Sequence, residues 1–335
     1  MSRAPSFPRS RRAARGRTLV ELMITIAIGL ALTAAVTGAY LGSTRTSRTA
    51  GELASMADSG QAALMLIGDA IRQAGYGEII GSDLALGAGD IGAYRAQTLF
   101  ADGPHLAGCT GARFADPTAA NPVCGAAADP NFDTLLVRFQ GDAVIPPAQG
   151  RIDDCLGLAV PLENLPADHL GASVVAARPM IRNAYFGDAG RLVCQGNGRT
   201  GAGVVPPPSP IASDVEQFKV FYAFDDVRYA DPASIAAANA RSLRDAAWLN
   251  ALPADTAPWD YVVAVHVCLV VRSPADNRGA ATQATQTWRR CPTTAAEAEA
   301  DLPVATASDG MLRRTYSQVY TVRARSTANP RQFLN

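Results

Sequence analysis

The stretch from Leu22 to Thr44 limits what this chain can fold into more than any other. It reads LMITIAIGLALTAAVTGAYLGST and contains no charged side chain. About 20 consecutive apolar residues are enough for a helix to cross the hydrocarbon core of a bilayer. The run therefore predicts a transmembrane helix over about 18–41. Five arginines precede Arg17 at the head of this segment: Arg3, Arg9, Arg11, Arg12 and Arg15. A Lys/Arg excess beside a span holds that flank in the cytoplasm, which places the chain after Arg45 on the outer side. Glu21 stands at the start of the apolar run. A carboxylate inside a bilayer costs roughly 2.5–3.5 kcal/mol near the centre and less towards the edge, so such groups usually have a partner and a function. The plain alternative is a side chain that snorkels to the headgroups.

The helical pattern continues beyond the span. Leu53, Met56, Ala57, Gly60, Leu64, Ile67, Ile71 and Ala74 recur at i, i+3, i+4, i+7 spacing. Arg48, Glu52, Asp58, Asp69 and Arg72 lie largely off that stripe. This is one continuous helix with an apolar face to pack, stopped by Gly75-Tyr76-Gly77. At 1.5 Å per residue it would be roughly 85 Å long.

Downstream, residues 78–132 are rich in Gly, Ala, Pro and Asp and predict a long, weakly structured loop region. Strand signals follow over residues 134–139, 173–186 with 191–194, 215–224, 261–271 and 312–325. Gly187-Asp188-Ala189-Gly190 forms the hairpin turn of the second pair, residues 201–210 are a Pro-rich connector, and the alanine-rich segment 232–252 reads as an inserted helix or two. The expected class is α+β: a long N-terminal helix, transmembrane in its first half, packed on an antiparallel sheet domain with loop and helical insertions.

Charge and cysteine usage narrow the function. Lys+Arg and Asp+Glu number 30 each, and a neutral chain lacks the basic footprint of a dedicated nucleic-acid binder. Lys219 is the single lysine. The six cysteines, Cys109, Cys124, Cys155, Cys194, Cys268 and Cys291, all follow the span, on the side where disulfides persist. Fifteen pairings are possible; pairing of sequence neighbours, Cys109–Cys124, Cys155–Cys194 and Cys268–Cys291, is the expectation. No CxxC pair or Cys/His cluster suggests zinc.

The N-terminal residues carry a resemblance. Gly16-Arg17-Thr18-Leu19-Val20-Glu21-Leu22 resembles the type IV prepilin signal, in which a dedicated peptidase cuts after the glycine and the glutamate becomes the fifth mature residue. That family's carboxylate pairs with the terminal amine of a neighbouring subunit inside the membrane. Two charges that are each costly alone neutralise one another when subunits meet. One departure is that the first mature residue is usually an N-methylated phenylalanine. Here it is Arg17, which leaves methylation open. Ala27-Ile28-Gly29-Leu30 and the segment from Ile67 to Tyr76 are similar to PilW-type minor pilins, and the arrangement is similar over nearly the whole chain. The resemblance implies a leader at 1–16, a long helix at 17–76 and a periplasmic or extracellular β-rich domain at 77–335. It also implies a non-enzymatic minor pilin without cofactor, in a tip or priming complex, starting as a single-pass inner-membrane protein. Other minor pilins, the major pilin, the prepilin peptidase and, where one is carried, a tip adhesin would be its partners.

The same residues admit other readings. Thr37-Gly38-Ala39 offers a signal-peptidase site, but Glu21 interrupts the apolar region and the run is long. Ser10-Arg11-Arg12 hints at a twin-arginine signal without the rest of that motif. A minor pseudopilin of type II secretion shares the N-terminal logic and differs in its partners. A membrane-anchored periplasmic enzyme is the reading from another class, but no GxSxG elbow or HExxH spacing supports it. Two GxGxxG matches, at 87–92 and 196–201, lack the strand-then-helix frame that phosphate binding needs and read as turns. His266, in the valine-rich run, reads as a satisfied core residue. Asp225, Asp226 and Asp231 lack the glycine and terminal glutamate of an EF-hand loop and read as a solvated loop.

Overall fold

A computed structural model describes residues 18–76, 104–117, 119, 121–141, 153–164, 177–200, 203–230, 241–254, 257–273 and 286–322. Gly16, Arg17, Asp231, His169 and the first GxGxxG match lie outside them. The chain divides into two compact units, Met1–Glu52 and Leu53–Asn335.

A single helix, α1, runs from Leu19 to Gln73. Its second half belongs to the larger unit and buries the stripe that the sequence spacing marks. Met56, Ala63, Leu64, Ile67, Ala70, Ile71 and Ala74 are all buried, whereas Leu53 is exposed. The helix stops at Gly75, whose φ of 73° is the left-handed conformation that favours glycine. The Gly75 amide donates to Arg138 O, and Gln140 N donates to Tyr76 O, so the helix end is stitched to the strand beneath it.

Fourteen strands accompany α1 among the described residues. The first sheet has six: β1 (Leu106–Cys109), β4 (Thr134–Gln140), β6 (Ala177–Asp188), β7 (Arg191–Gln195) and β8 (Ser209–Ala212) in spatial order, with β5 (Leu162–Asn164) also on β6. The second has four, in the order β10 (Arg241–Arg244), β9 (Val215–Asp225), β11 (Val262–Arg272) and β14 (Arg313–Thr321). Two hairpin-sized ladders complete the set: β2 (Ala112–Phe114) with β3 (Cys124–Ala127), and β12 (Gln286–Arg289) with β13 (Val304–Ala307). Every strand ladder is antiparallel. The class is therefore the expected α+β, with two principal sheets.

The structure corrects two sequence expectations. Within the region read as a loop, β1, β2 and β3 form; their small residues carry no periodic signal, and pairing orders them, β1 with β4 and β2 with β3. Residues 241–244, read as part of a helical insert, form β10 on β9, and only the five-residue helix Ala246–Asn250 follows. Residues 231–240 of that insert lie outside the described residues.

The helix meets the second sheet through two glycine notches. A Cβ on Gly60 would come within 2.4 Å of the Tyr316 ring, and one on Gly68 within 2.2 Å of Tyr320. Glycine is what allows those rings to lie against the helix backbone. Tyr320 donates from its hydroxyl to Leu64 O at 2.7 Å, and the Arg72 guanidinium sits over the same ring. The two sheets are joined where Phe132 bridges Phe218. Beside that bridge Lys219 Nζ lies 2.6 Å from Asp133 Oδ1, with both side chains buried.

Candidate assembly helix and its oxidised platform

The first half of α1 is unlike every other apolar part of the molecule. Leu19 is 74% exposed, Leu30 66% and Val36 67%, although this stretch reaches a mean hydropathy of 2.3 in its best window. Its threonines need no outside partner. Thr25 donates to Leu22 O, Thr33 to Gly29 O and Leu30 O, Thr37 to Thr33 O, and Thr44 to Leu41 O. Satisfying hydroxyls on the helix's own carbonyls is what lets polar residues sit in hydrocarbon. Glu21 is the one charged group left there, and it is exposed. Its amide donates to Thr18 Oγ1 at 3.3 Å, and Leu22 N donates to Thr18 O at 3.2 Å. Thr18 to Glu21 is thus the T-x-x-E spacing of a capping box, a signal that sequence reasoning passed over. The first turn of a helix also favours a carboxylate, because the backbone dipole is positive there.

The larger unit is closed and stapled. Cys109 is bonded to Cys124, Cys155 to Cys194 and Cys268 to Cys291; there is no free cysteine among the described residues. Each bridge fastens a peripheral piece to a sheet: Cys109–Cys124 ties β3 to β1, Cys155–Cys194 ties the 153–159 turn to β7, and Cys268–Cys291 ties the start of a surface flap to β11.

The buried carboxylates of Asp133 and Asp154 are satisfied rather than poised. Asp133 accepts from Lys219 Nζ, Val220 N and Gly111 N; burial pushes its carboxyl above the usual range while these partners oppose the shift. Asp154 accepts from Leu156 N, Leu158 N and Gly198 N, so the second GxGxxG match is a turn packed on a carboxylate. His266 Nε2 lies 2.6 Å from Ser317 Oγ, and burial lowers its pKa. Asp226 is held by Ser242 and Arg244, and Asp225 is buried. No group of three or more His, Cys, Asp or Glu side chains is placed to hold a metal ion among the described residues.

A long helix, apolar and uncovered in its first half and packed on antiparallel sheets in its second, defines a pilin-like α+β protein. Residues 180–324, from within β6 to just beyond β14, match the family model described as Type IV Pilus-assembly protein W. The match spans the C-terminal strands and less than half of the chain. Among solved structures the chain is similar to a type IV-like pilin, TTHA1219 from Thermus thermophilus, at 15% identity and a TM-score of 0.29, covering 58% of this chain and 78% of that one. No curated protein sequence matches.

Proposed function

We propose that this chain is a minor pilin that enters the tip or priming complex of a type IV pilus. The observation that carries the reading is the contrast within α1. Its first half exposes an uninterrupted apolar surface with one carboxylate at the head, while its second half is locked to a disulfide-bonded domain. Such a surface is stable in a bilayer, or against the equivalent helices of other subunits once it leaves the bilayer. Cleavage after Gly16 would put a new ammonium at Arg17, four residues before Glu21. The prepilin peptidase is the partner for that step, and other minor pilins and the major pilin are partners for assembly. The chain begins in this reading as a single-pass inner-membrane protein with its N-terminus in the cytoplasm. A large outer domain is easier to accommodate at the end of a fibre than at every position along it. N-terminal mass spectrometry of the membrane-extracted protein tests the reading: the mature chain should begin at Arg17, and Gly16→Ala should leave the precursor uncut. An intact leader in cells with active prepilin peptidase, or a mature start at Tyr40, would refute it.

A further inference from the structure

The two edges of the four-stranded sheet are built differently. At one edge β10 is four residues long and carries Arg241 and Arg244. The Glu299 carboxylate accepts from Leu243 N there. Short length, charge and a side-chain cap are the usual protections of an edge strand. At the other edge β14 is nine residues long, opens with Arg313 and Arg314, and among the described residues pairs only with β11. From Thr315 to Val322 it reads TYSQVYTV, without charge, proline or glycine, and its register with β11 has no bulge.

The hydrogen-bond pattern shows which groups face outward. Val322 N donates to Val263 O, opposite it in register. Bonded pairs alternate in an antiparallel ladder, so Tyr316, Gln318 and Tyr320 point their amides and carbonyls at β11. Ser317, Val319 and Thr321 point theirs away. All three are exposed, Val319 at 59%. Among the described residues the β12–β13 flap meets the start of the strand, where the Thr315 hydroxyl donates to Arg289 O. The uncharged part of this edge, from Thr315 onward, is a template for another strand.

The direction of β14 selects the partner. Tyr316 meets Gly60 and Tyr320 meets Gly68, so β14 and the packed half of α1 run the same way. Two copies joined β14 to β14 would pair antiparallel about a two-fold axis, with their 53–73 helical segments pointing in opposite directions. Chains anchored in one membrane and stacked in one fibre point theirs in the same direction. We infer that the open edge of β14 receives an extended, uncharged strand from a different pilus subunit, one that runs antiparallel to that subunit's own N-terminal helix, and extends the four-stranded sheet to five. This inference rests on the pilin reading above.

The test combines residue-resolved amide exchange with two edge variants. In the detergent-solubilised full chain, the amides of Ser317, Val319 and Thr321 should exchange at least about 100-fold faster than those of Tyr316, Gln318 and Tyr320. In sheared pili the outward amides should slow by about tenfold or more. Val319→Pro removes an amide that the sheet does not use, and Val319→Lys places a charge on the edge. Both should keep the melting behaviour of the parent, with pilus incorporation down by about tenfold. Outward amides as protected as inward ones in the solubilised chain would overturn the proposal, as would wild-type incorporation of both variants. A solubilised homodimer abolished by Val319→Lys would overturn the choice of a different subunit. Absence of the wild-type chain from pili would refute the pilin reading instead, and the exchange contrast in the solubilised chain would still test the open edge.

Discussion

The two halves of α1 share one backbone conformation and answer to different solvents. From Leu53 to Gln73 the helix presents one buried stripe, and its glycines at 60 and 68 are shaped to the rings of Tyr316 and Tyr320. From Leu19 to Thr44 it is apolar on all sides, its threonines are satisfied internally and its glycines at 29, 38 and 42 have nothing within contact distance. An amphipathic stripe marks a helix that packs on a folded domain, and all-round hydrophobicity marks one that lives among lipid or other helices. A substitution in the second half should therefore be felt as folding stability, and one in the first half as membrane residence and assembly.

The largest expected effect lies inside the larger unit. Asp133→Ala leaves Lys219 buried without its carboxylate. Removing one partner of a buried pair typically costs about 3–5 kcal/mol, so thermal or denaturant unfolding of the solubilised chain should shift accordingly. Converting Cys268 and Cys291 together to serine should cost about 2–5 kcal/mol, read in the same way. A smaller loss would mean that the flap contributes little to the fold. Gly68→Ala should cost about 1–3 kcal/mol, because the added methyl meets the Tyr320 ring and over-packing of a fitted contact is destabilising. The counterpart in the other half is Gly38→Ala. It meets nothing in the monomer and should shift outer-domain unfolding by less than about 0.5 kcal/mol. Equal losses for the two glycine variants would break the comparison.

The smallest effect concerns the flap. Hydrogen bonds from Arg290 hold the Glu297 carboxyl down at about 2, and Thr293 adds its amide and hydroxyl. A carboxyl depressed in the folded state contributes stability that is present above its ordinary pKa and is lost as pH falls through the folded value. Amide exchange in residues 290–299 should therefore rise as pH drops from about 4.5 to about 2. The group is partly exposed, so the change should be modest. Glu297→Gln should remove the pH dependence.

How much of this was legible in the sequence depended on which force ordered each element. The packed stripe of α1 and its stop at Gly75 follow from local periodicity and a backbone requirement. So do β4, β9, β11 and β14, whose β-branched and aromatic runs are long enough to announce themselves. β1 to β3 were hidden because Leu106-Ala107-Gly108-Cys109 has neither alternation nor bulk; a disulfide and a ladder to β4 order it. β10 was misread because an alanine-rich surrounding suggested helix, and the pairing that decides it comes from Tyr222 to Asp225. The junction of the two sheets depends on the Phe132–Phe218 bridge and on one buried lysine, which no local pattern marks. Near the candidate site, Glu21 stands out as a lone charge, whereas its T-x-x-E relation to Thr18 is obscured because the apolar run on either side of Glu21 carries no other mark of a helix start.

The central claim is that Glu21 serves assembly and not the fold of the outer domain. The direct measurement is pilus incorporation of Glu21→Gln and Glu21→Ala, set against unfolding of their outer domains, at matched membrane protein levels. Glutamine keeps size and hydrogen bonding while removing charge, and so separates electrostatics from shape. Both variants should be cleaved, inserted and folded like the parent, with unfolding midpoints unchanged, yet enter sheared pili poorly. Wild-type incorporation of both, or a lowered unfolding midpoint in either, would contradict the account.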